Sequence, residues 1–362
     1  MQSSPQPTTL VTLRPADLVA DVRRLGERAV PDVRTRHRCP VESMSMMNRS
    51  RGSSPEHLCE ILGIERPVLL APMAAVAGGA LAKAVTDSGG LGILGGGYGD
   101  EGWIAREMDI AGDTRVGIGL ITWNMTGGVL DAALDHKPAA VWLSFGDPTP
   151  HIPAIHASGV VAICQVTNVD EAVEAATAGA DVIVAQGSEA GGHGRSGRSL
   201  LELLPAIRAA VPDVALVAAG GICDRPDYET VRALGAAGVA LGTALYATEE
   251  ALDVPEAKQR LVDARRNDTL RCTVYDLVRG PEWPAGYDGR CIRTEFTDTW
   301  VGREDELRSV VEPFVARYAE AVEESDMSFR VVWAGEGLDG IKAIVPAVDI
   351  VYRFPCVNKI DV

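Results

Sequence analysis

The chain has 362 residues, 46% of them hydrophobic, and a formal net charge of −16. That length and apolar content suit one large core with appendages better than two equal domains. The acidic balance weighs against nucleic acid or an anionic membrane as partner, though not against an anionic small molecule in a cleft of opposite local potential. Seven cysteines without a Cys-x-x-Cys pair indicate neither a zinc site nor a disulfide framework, so no metal is expected.

Residues 1–55 read as an irregular, poorly ordered extension. Met1-Gln2-Ser3-Ser4-Pro5-Gln6-Pro7 is polar and proline-bearing, no continuous apolar stretch follows, and 34–38 is basic, so a secretory signal is not indicated and the cytoplasm is the expected location. A partly helical stretch is expected over 15–29. Met44, Met46 and Met47 offer internal translation starts; the other use for the segment is a partner-binding amphipathic helix.

From there, short apolar runs alternate with helix-like segments. Strands are predicted near 68–71, 91–94, 116–121, 140–145, 160–165, 181–185, 215–219 and 239–241. The runs are continuously apolar rather than alternating, as when protein covers both faces of a parallel sheet. Helices are predicted over 80–87, stopped by Gly89-Gly90, over 170–178, stopped by Gly179, and over 226–234. A doubly wound open sheet competes, yet no Gly-x-Gly-x-x-Gly opens a helix after the first strand. Gly95-Gly96-Gly97 runs on into Tyr98-Gly99-Asp100 and does not complete that fingerprint.

The sixth run leads into Gln186-Gly187-Ser188-Glu189-Ala190-Gly191-Gly192-His193-Gly194, a glycine-dense loop where an α/β enzyme places chemistry. Gly191 and Gly192 let backbone approach a flat ligand, and His193 can exchange a proton near neutral pH. A plain strand-to-helix turn with a surface histidine is the alternative. The seventh and eighth runs end in Ala219-Gly220-Gly221-Ile222 and Leu241-Gly242-Thr243. Strand ends seven and eight of a (β/α)8 barrel commonly cradle phosphate on bare backbone N–H groups, although glycines also end strands for packing reasons. Cys223 lies beside this proposed cup.

Beyond the eighth run, 249–267 and 304–324 are predicted helices. The second, charged and amphipathic, suits the barrel surface or a partner subunit and leaves a homodimer open. Thr273-Val274-Tyr275-Asp276 precedes a proline-, glycine- and aromatic-rich loop, where Trp283, Tyr287 and Arg290 are candidate contacts for substrate or oxidant. Trp333-Ala334-Gly335-Glu336-Gly337 precedes a closing segment at 341–351.

Taken together, Leu70-Ala71-Pro72-Met73-Ala74, Gly89-Gly90-Leu91-Gly92, the Gln186 to Gly194 loop, Ala219-Gly220-Gly221-Ile222 and Leu241-Gly242-Thr243 resemble the nitronate monooxygenase family, formerly the 2-nitropropane dioxygenases, over residues 58–300. The resemblance implies an α/β (β/α)8 TIM barrel at 56–250 that binds FMN. A small, mostly helical subdomain and closing segment would follow at 251–362. It also implies oxidation of alkyl nitronates by dioxygen to a carbonyl compound and nitrite. Ala71, Pro72 and Met73 would line the isoalloxazine ring, with Gln186, Gly191 and Gly192 also against the flavin. Gly220, Gly221, Leu241, Gly242 and Thr243 would hold the FMN phosphate, and His193 would be the catalytic histidine.

The family often has asparagine where Gly119 stands, so that flavin contact is expected to be lost or to come from Thr122 or Asn124. Related flavin-dependent enoyl-ACP reductases tend to carry glutamate where this chain has Gln186, which tilts the reading toward nitronate oxidation. An NAD(P)H-dependent quinone or enoyl reductase on the same FMN is the alternative enzyme, and a non-catalytic flavin- or phosphate-binding barrel the alternative class; His193 argues against the latter.

Overall fold

The computed structural model describes residues 51–125, 127–280 and 282–357. The expectations for the extension up to residue 50, with its helix and methionines, lie outside the described residues.

Eight parallel strands form the centre of the fold: β1 (Val68–Leu70), β2 (Ile93–Gly95), β3 (Gly117–Ile121), β4 (Ala140–Ser144), β5 (Val161–Val166), β6 (Val182–Gln186), β8 (Ala215–Ala219) and β9 (Gly238–Leu241). Their order is β1-β9-β8-β6-β5-β4-β3-β2. The ring closes where Leu91 N donates to Val68 O and Leu70 N donates to Leu91 O, each at 2.9 Å. This is the expected (β/α)8 barrel, with every predicted strand found within two residues of its place.

Alternation along each strand explains the unbroken apolar runs. Leu69, Trp142, Ile163, Val182 and Val184 point into the barrel and pack with Leu58 and Leu62 of the Pro55–Leu62 helix. Their neighbours Val68, Leu70, Val141, Leu143, Ala162 and Cys164 pack outward against the surrounding helices. Both faces are therefore dry along most of each strand, and the polar residues of these runs, Ser144, Gln165 and Gln186, sit at or next to the C-terminal ends.

Six of the fifteen α-helices among the described residues begin on side-chain caps that satisfy orphan N–H groups. Ser54 caps the Pro55–Leu62 helix, Asp100 caps Glu101–Ala111, and Asn168 caps Val169–Ala178, which Gly179 ends at φ 100°. Ser199 and Glu202 form a reciprocal capping box on Leu200–Ala210.

Three C-terminal expectations are corrected. The helix predicted over 249–267 shrinks to Pro255–Asp263, because Pro255 fits only a first turn. The one predicted over 304–324 is two helices, Glu304–Ser309 and Glu312–Glu323, with Pro313 in the first turn of the second; its ring would clash with the carbonyl four residues back in a continuous helix. The loop after residue 280 runs directly into a strand. Here a three-stranded antiparallel sheet forms from β10 (Thr269–Cys272), β11 (Asp288–Ile292) and, at its edge, β7 (Gly192–Gly194), the histidine loop itself. Cys272, Tyr275, Cys291, Phe296 and Leu307 give this sheet and its helices a small core of their own.

Candidate active site at the C-terminal ends of the strands

A cavity of about 1360 Å³, counting the space at its open mouth, lies over the C-terminal ends of the barrel strands. Ala71, Pro72, Met73, Gln186, Gly191, Gly192, His193, Gly220, Gly221, Gly242 and Thr243 all line it, although they come from four separated stretches of chain. Leu241 does not: its side chain is fully buried in the outer core, and its carbonyl accepts from Ala71 N at 3.0 Å, tying β9 to the end of β1.

One wall is a polar chain across three strand ends. Trp142 Nε1 and Ser144 Oγ donate to Gln165 Oε1 at 3.3 and 3.2 Å, Gln165 Nε2 donates to Gln186 Oε1 at 3.0 Å, and Gln186 Nε2 donates to the His193 carbonyl at 2.8 Å. Each amide is therefore oriented by its neighbour, and the last one clamps the backbone of the histidine. Gln165 was legible, since a polar residue ending an apolar barrel strand is a functional signal.

The glycine cup sits opposite. Gly220 and Gly221 have φ of 121° and 71°. The backbone N–H groups of Gly220, Gly221, Gly242 and Thr243 have no acceptor among the described residues. A Cβ at Gly242 would meet nothing closer than Ala71 Cβ at 3.7 Å, so the side-chain direction there is open at the cavity wall. Thr243 Oγ1 accepts from Gly335 N at 2.9 Å and keeps its own proton to donate. Bare N–H groups and one hydroxyl are the donor set that suits a dianionic phosphate.

Gly119 has a steric explanation. A Cβ there would lie 2.2 Å from Pro72 Cβ, so no asparagine fits while Pro72 holds its place on the wall. Neither Thr122 nor Asn124 lines the cavity, so of the two outcomes expected at Gly119 the geometry fits loss of that contact; Gln165 and Gln186 are the amides among the described lining residues. Gly191 is needed for close packing as well as access: a Cβ on it would lie 2.5 Å from Gly335 N.

His193 sits on the edge strand β7, opposite Gly289 of β11. Its Nε2 lies 2.8 Å from Asp276 Oδ1, with the two side chains 9% and 8% exposed. The Trp283 indole stacks on the imidazole at 3.7 Å and 5°, and Trp333 packs at 4.9 Å. Tyr98, Trp123 and Phe145 extend this aromatic group around Trp283. Arg279 is the one permanently cationic side chain among the described lining residues, and it lies over the Trp333 ring at 5.5 Å. Burial raises the Tyr98 phenol above its ordinary value, with the Arg279 charge opposing. Asp276 carried no sequence signal for this role, since 83 residues separate it from His193.

The other three candidates behave differently. Trp283 lines the cavity, as expected. Arg290 does not: its Nη2 pairs with Glu336 at 3.0 Å and its Nε donates to Ser188 O at 3.0 Å, so it holds the histidine loop instead of a ligand. Tyr287 lies under the Arg195 guanidinium at 4.2 Å, outside the main cavity. Cys223 lines the cavity, but burial and the adjacent Asp227 push its thiol up to about 12, which leaves it a poor nucleophile.

The sequence profile of the nitronate monooxygenase family matches residues 113–354. A nitronate monooxygenase of Neurospora crassa is 33% identical over 341 residues, covering 79% of this chain and 88% of that protein. Among solved structures, FabK from Thermotoga maritima superposes with a TM-score of 0.72 at 26% identity, covering 85% of this chain and 95% of that one. A nitroalkane oxidase from Streptomyces ansochromogenes gives 0.68 at 26% identity, covering 82% and 95%.

Proposed function

The chain belongs to the nitronate monooxygenase family, and from that premise we propose that it is an FMN-dependent oxidoreductase that oxidises alkyl nitronates with dioxygen, releasing a carbonyl compound and nitrite. The observation that carries this reading is the convergence, on one cavity, of a buried histidine, an amide chain and a cup of unpartnered backbone N–H groups. In this reading residues 56–250 are the flavin-binding barrel and 251–362 the segment that closes it. The substrate is a small anion met in the cytoplasm, with no nucleic acid or membrane partner; a homodimer is the assembly to look for.

The residues fit the cofactor. Gly220, Gly221, Gly242 and Thr243 would hold the phosphate, with the ring against Ala71, Pro72 and Met73 on one side and Gln186, Gly191 and Gly192 on the other. Bound there, FMN would supply the electron acceptor that nitronate oxidation by dioxygen requires. The protein's own groups set up the rest. In its protonated form His193 donates a hydrogen bond to the nitronate oxygens, and Arg279 gives the cavity the positive wall an anion needs. The Trp283 indole covers one face of the imidazole and Trp333 packs against the ring, which keeps water from much of it. For a neutral nitroalkane, His193 takes the α-proton and so generates the nitronate in place.

The test is nitrite release from purified holoenzyme given ethyl nitronate and dioxygen without NAD(P)H. Nitrite is expected, because the substrate carries the electrons. Strict dependence on NAD(P)H, with no nitrite from any nitronate, would assign the barrel to quinone or enoyl reduction.

A further inference from the structure

We propose that Asp276 is a positioning residue that fixes the tautomer of His193, leaving Nδ1 as the atom that removes the α-proton of a neutral nitroalkane. The inference rests on the proposed nitronate chemistry and adds to it which nitrogen is the base and what selects it.

An ionised carboxylate only accepts hydrogen bonds, so the proton shared across the 2.8 Å contact with Asp276 Oδ1 resides on His193 Nε2. Nδ1 is then the unprotonated nitrogen. It has no partner among the described residues, on a ring that lines the cavity. The rest of the ring is fixed. Stacking on Trp283 at 3.7 Å and packing by Trp333 block rotation, and Gln186 Nε2 holds the backbone carbonyl at 2.8 Å. Flipping the imidazole would break the Asp276 contact, and Asp276 already has a second carboxylate oxygen buried without a partner. That oxygen makes loss of the remaining contact costlier still.

The proton transfer balances. The α-C–H bond breaks, its proton goes to the Nδ1 lone pair, and its electron pair becomes the C=N bond of the nitronate as charge moves onto the nitro oxygens. The imidazolium so formed keeps Nε2–H on the Asp276 carboxylate, which supplies the counter-charge at the moment it develops.

Asp276→Asn separates this from a structural role. The side-chain shape is kept, but an amide N–H now facing Nε2 favours the tautomer with the proton on Nδ1, which cannot act as base. In holoenzyme assays of nitrite release, kcat/KM for nitroethane is expected to fall about 100- to 10,000-fold, whereas ethyl nitronate, which needs no base, loses at most about tenfold. The deuterium isotope effect with 1,1-dideuterated nitroethane should rise as proton removal becomes limiting. Asp276→Glu, which keeps a carboxylate, should recover at least about tenfold of the nitroethane loss. Equal loss on both substrates, or wild-type nitroethane turnover in Asp276→Asn, would overturn the proposal. Wild-type enzyme that oxidises ethyl nitronate but never nitroethane would overturn it while sparing the proposed function; absence of nitrite from either substrate would remove the functional reading first.

Discussion

In the proposed reading His193 and the glycines opposite it divide the work between proton chemistry and cofactor binding, and single substitutions would separate the two. His193→Asn should keep its flavin, because no phosphate donor is touched. Its nitroethane turnover should fall about 100- to 10,000-fold, with a much smaller loss on ethyl nitronate; steady-state nitrite assays alongside the absorbance ratio of flavin to protein would check both. For the cup, Gly242 is a better probe than Gly220. Gly220 has φ 121° and would place a Cβ 3.0 Å from Ala190 N, so a side chain there strains the backbone whatever is bound. At Gly242 a Cβ meets only ordinary contacts, so Gly242→Val should fold normally and lose FMN by blocking the N–H groups. Circular dichroism like wild type combined with stoichiometric flavin in this variant would show that the phosphate binds elsewhere.

The antiparallel sheet β10-β11-β7 turns a glycine loop into a rigid platform. Arg271 and Arg290 face each other across β10 and β11, a pairing that like charge alone would disfavour. Each has its own carboxylate: Arg271 Nε binds Asp288 Oδ1 at 2.6 Å, and Arg290 Nη2 binds Glu336 Oε1 at 3.0 Å. Both also donate to the Ser188 carbonyl, at 3.3 and 3.0 Å, and so hold the loop leading to His193. Burial pulls the Arg290 guanidinium below its ordinary value, with Glu336 opposing, which marks how dry this anchor is. Arg290→Met should cost roughly 2 kcal/mol in urea unfolding, since a charged hydrogen bond to the loop is lost and Glu336 keeps only Arg266. It should also lower kcat on nitronates while leaving flavin bound. Unchanged stability and activity would mean that Arg271 alone holds the loop.

For the whole molecule, the expected ligand is FMN and not FAD, because the cup offers one cluster of free N–H groups and the chain has no Gly-x-Gly-x-x-Gly after its first strand. Flavin released by heat should co-elute with FMN, and a colourless protein that takes up no flavin would count against the entire reading. Bound there, FMN would tie together β1, β6, β8 and β9, so it should stabilise the barrel by mass action. At a hundredfold excess over Kd the gain is about 2.7 kcal/mol, or on the order of 5 °C in Tm for a domain this large. A melt in which added FMN leaves apoprotein Tm unchanged would argue against specific binding.

The eight strands, three of the helices and the glycine cup were legible in the chain because each depends on neighbours in sequence. A strand buried on both faces must read as an apolar run, and strand ends that expose N–H groups must drop their side chains. Pro255 and Pro313 were equally local signals, and they shortened or split helices that charge patterning alone had run together. The partner of the histidine was not legible. Asp276 reaches His193 only because the segment after β9 folds back over the barrel mouth, and no local periodicity encodes a contact across 83 residues. Nor could the sequence show that Pro72 fills the space beside Gly119, or that Arg290 faces Glu336 and the loop instead of the cavity. Local pattern determined the barrel and the glycine-rich strand ends at its mouth, whereas long-range packing decided which side chains surround His193 and therefore what its ring can do.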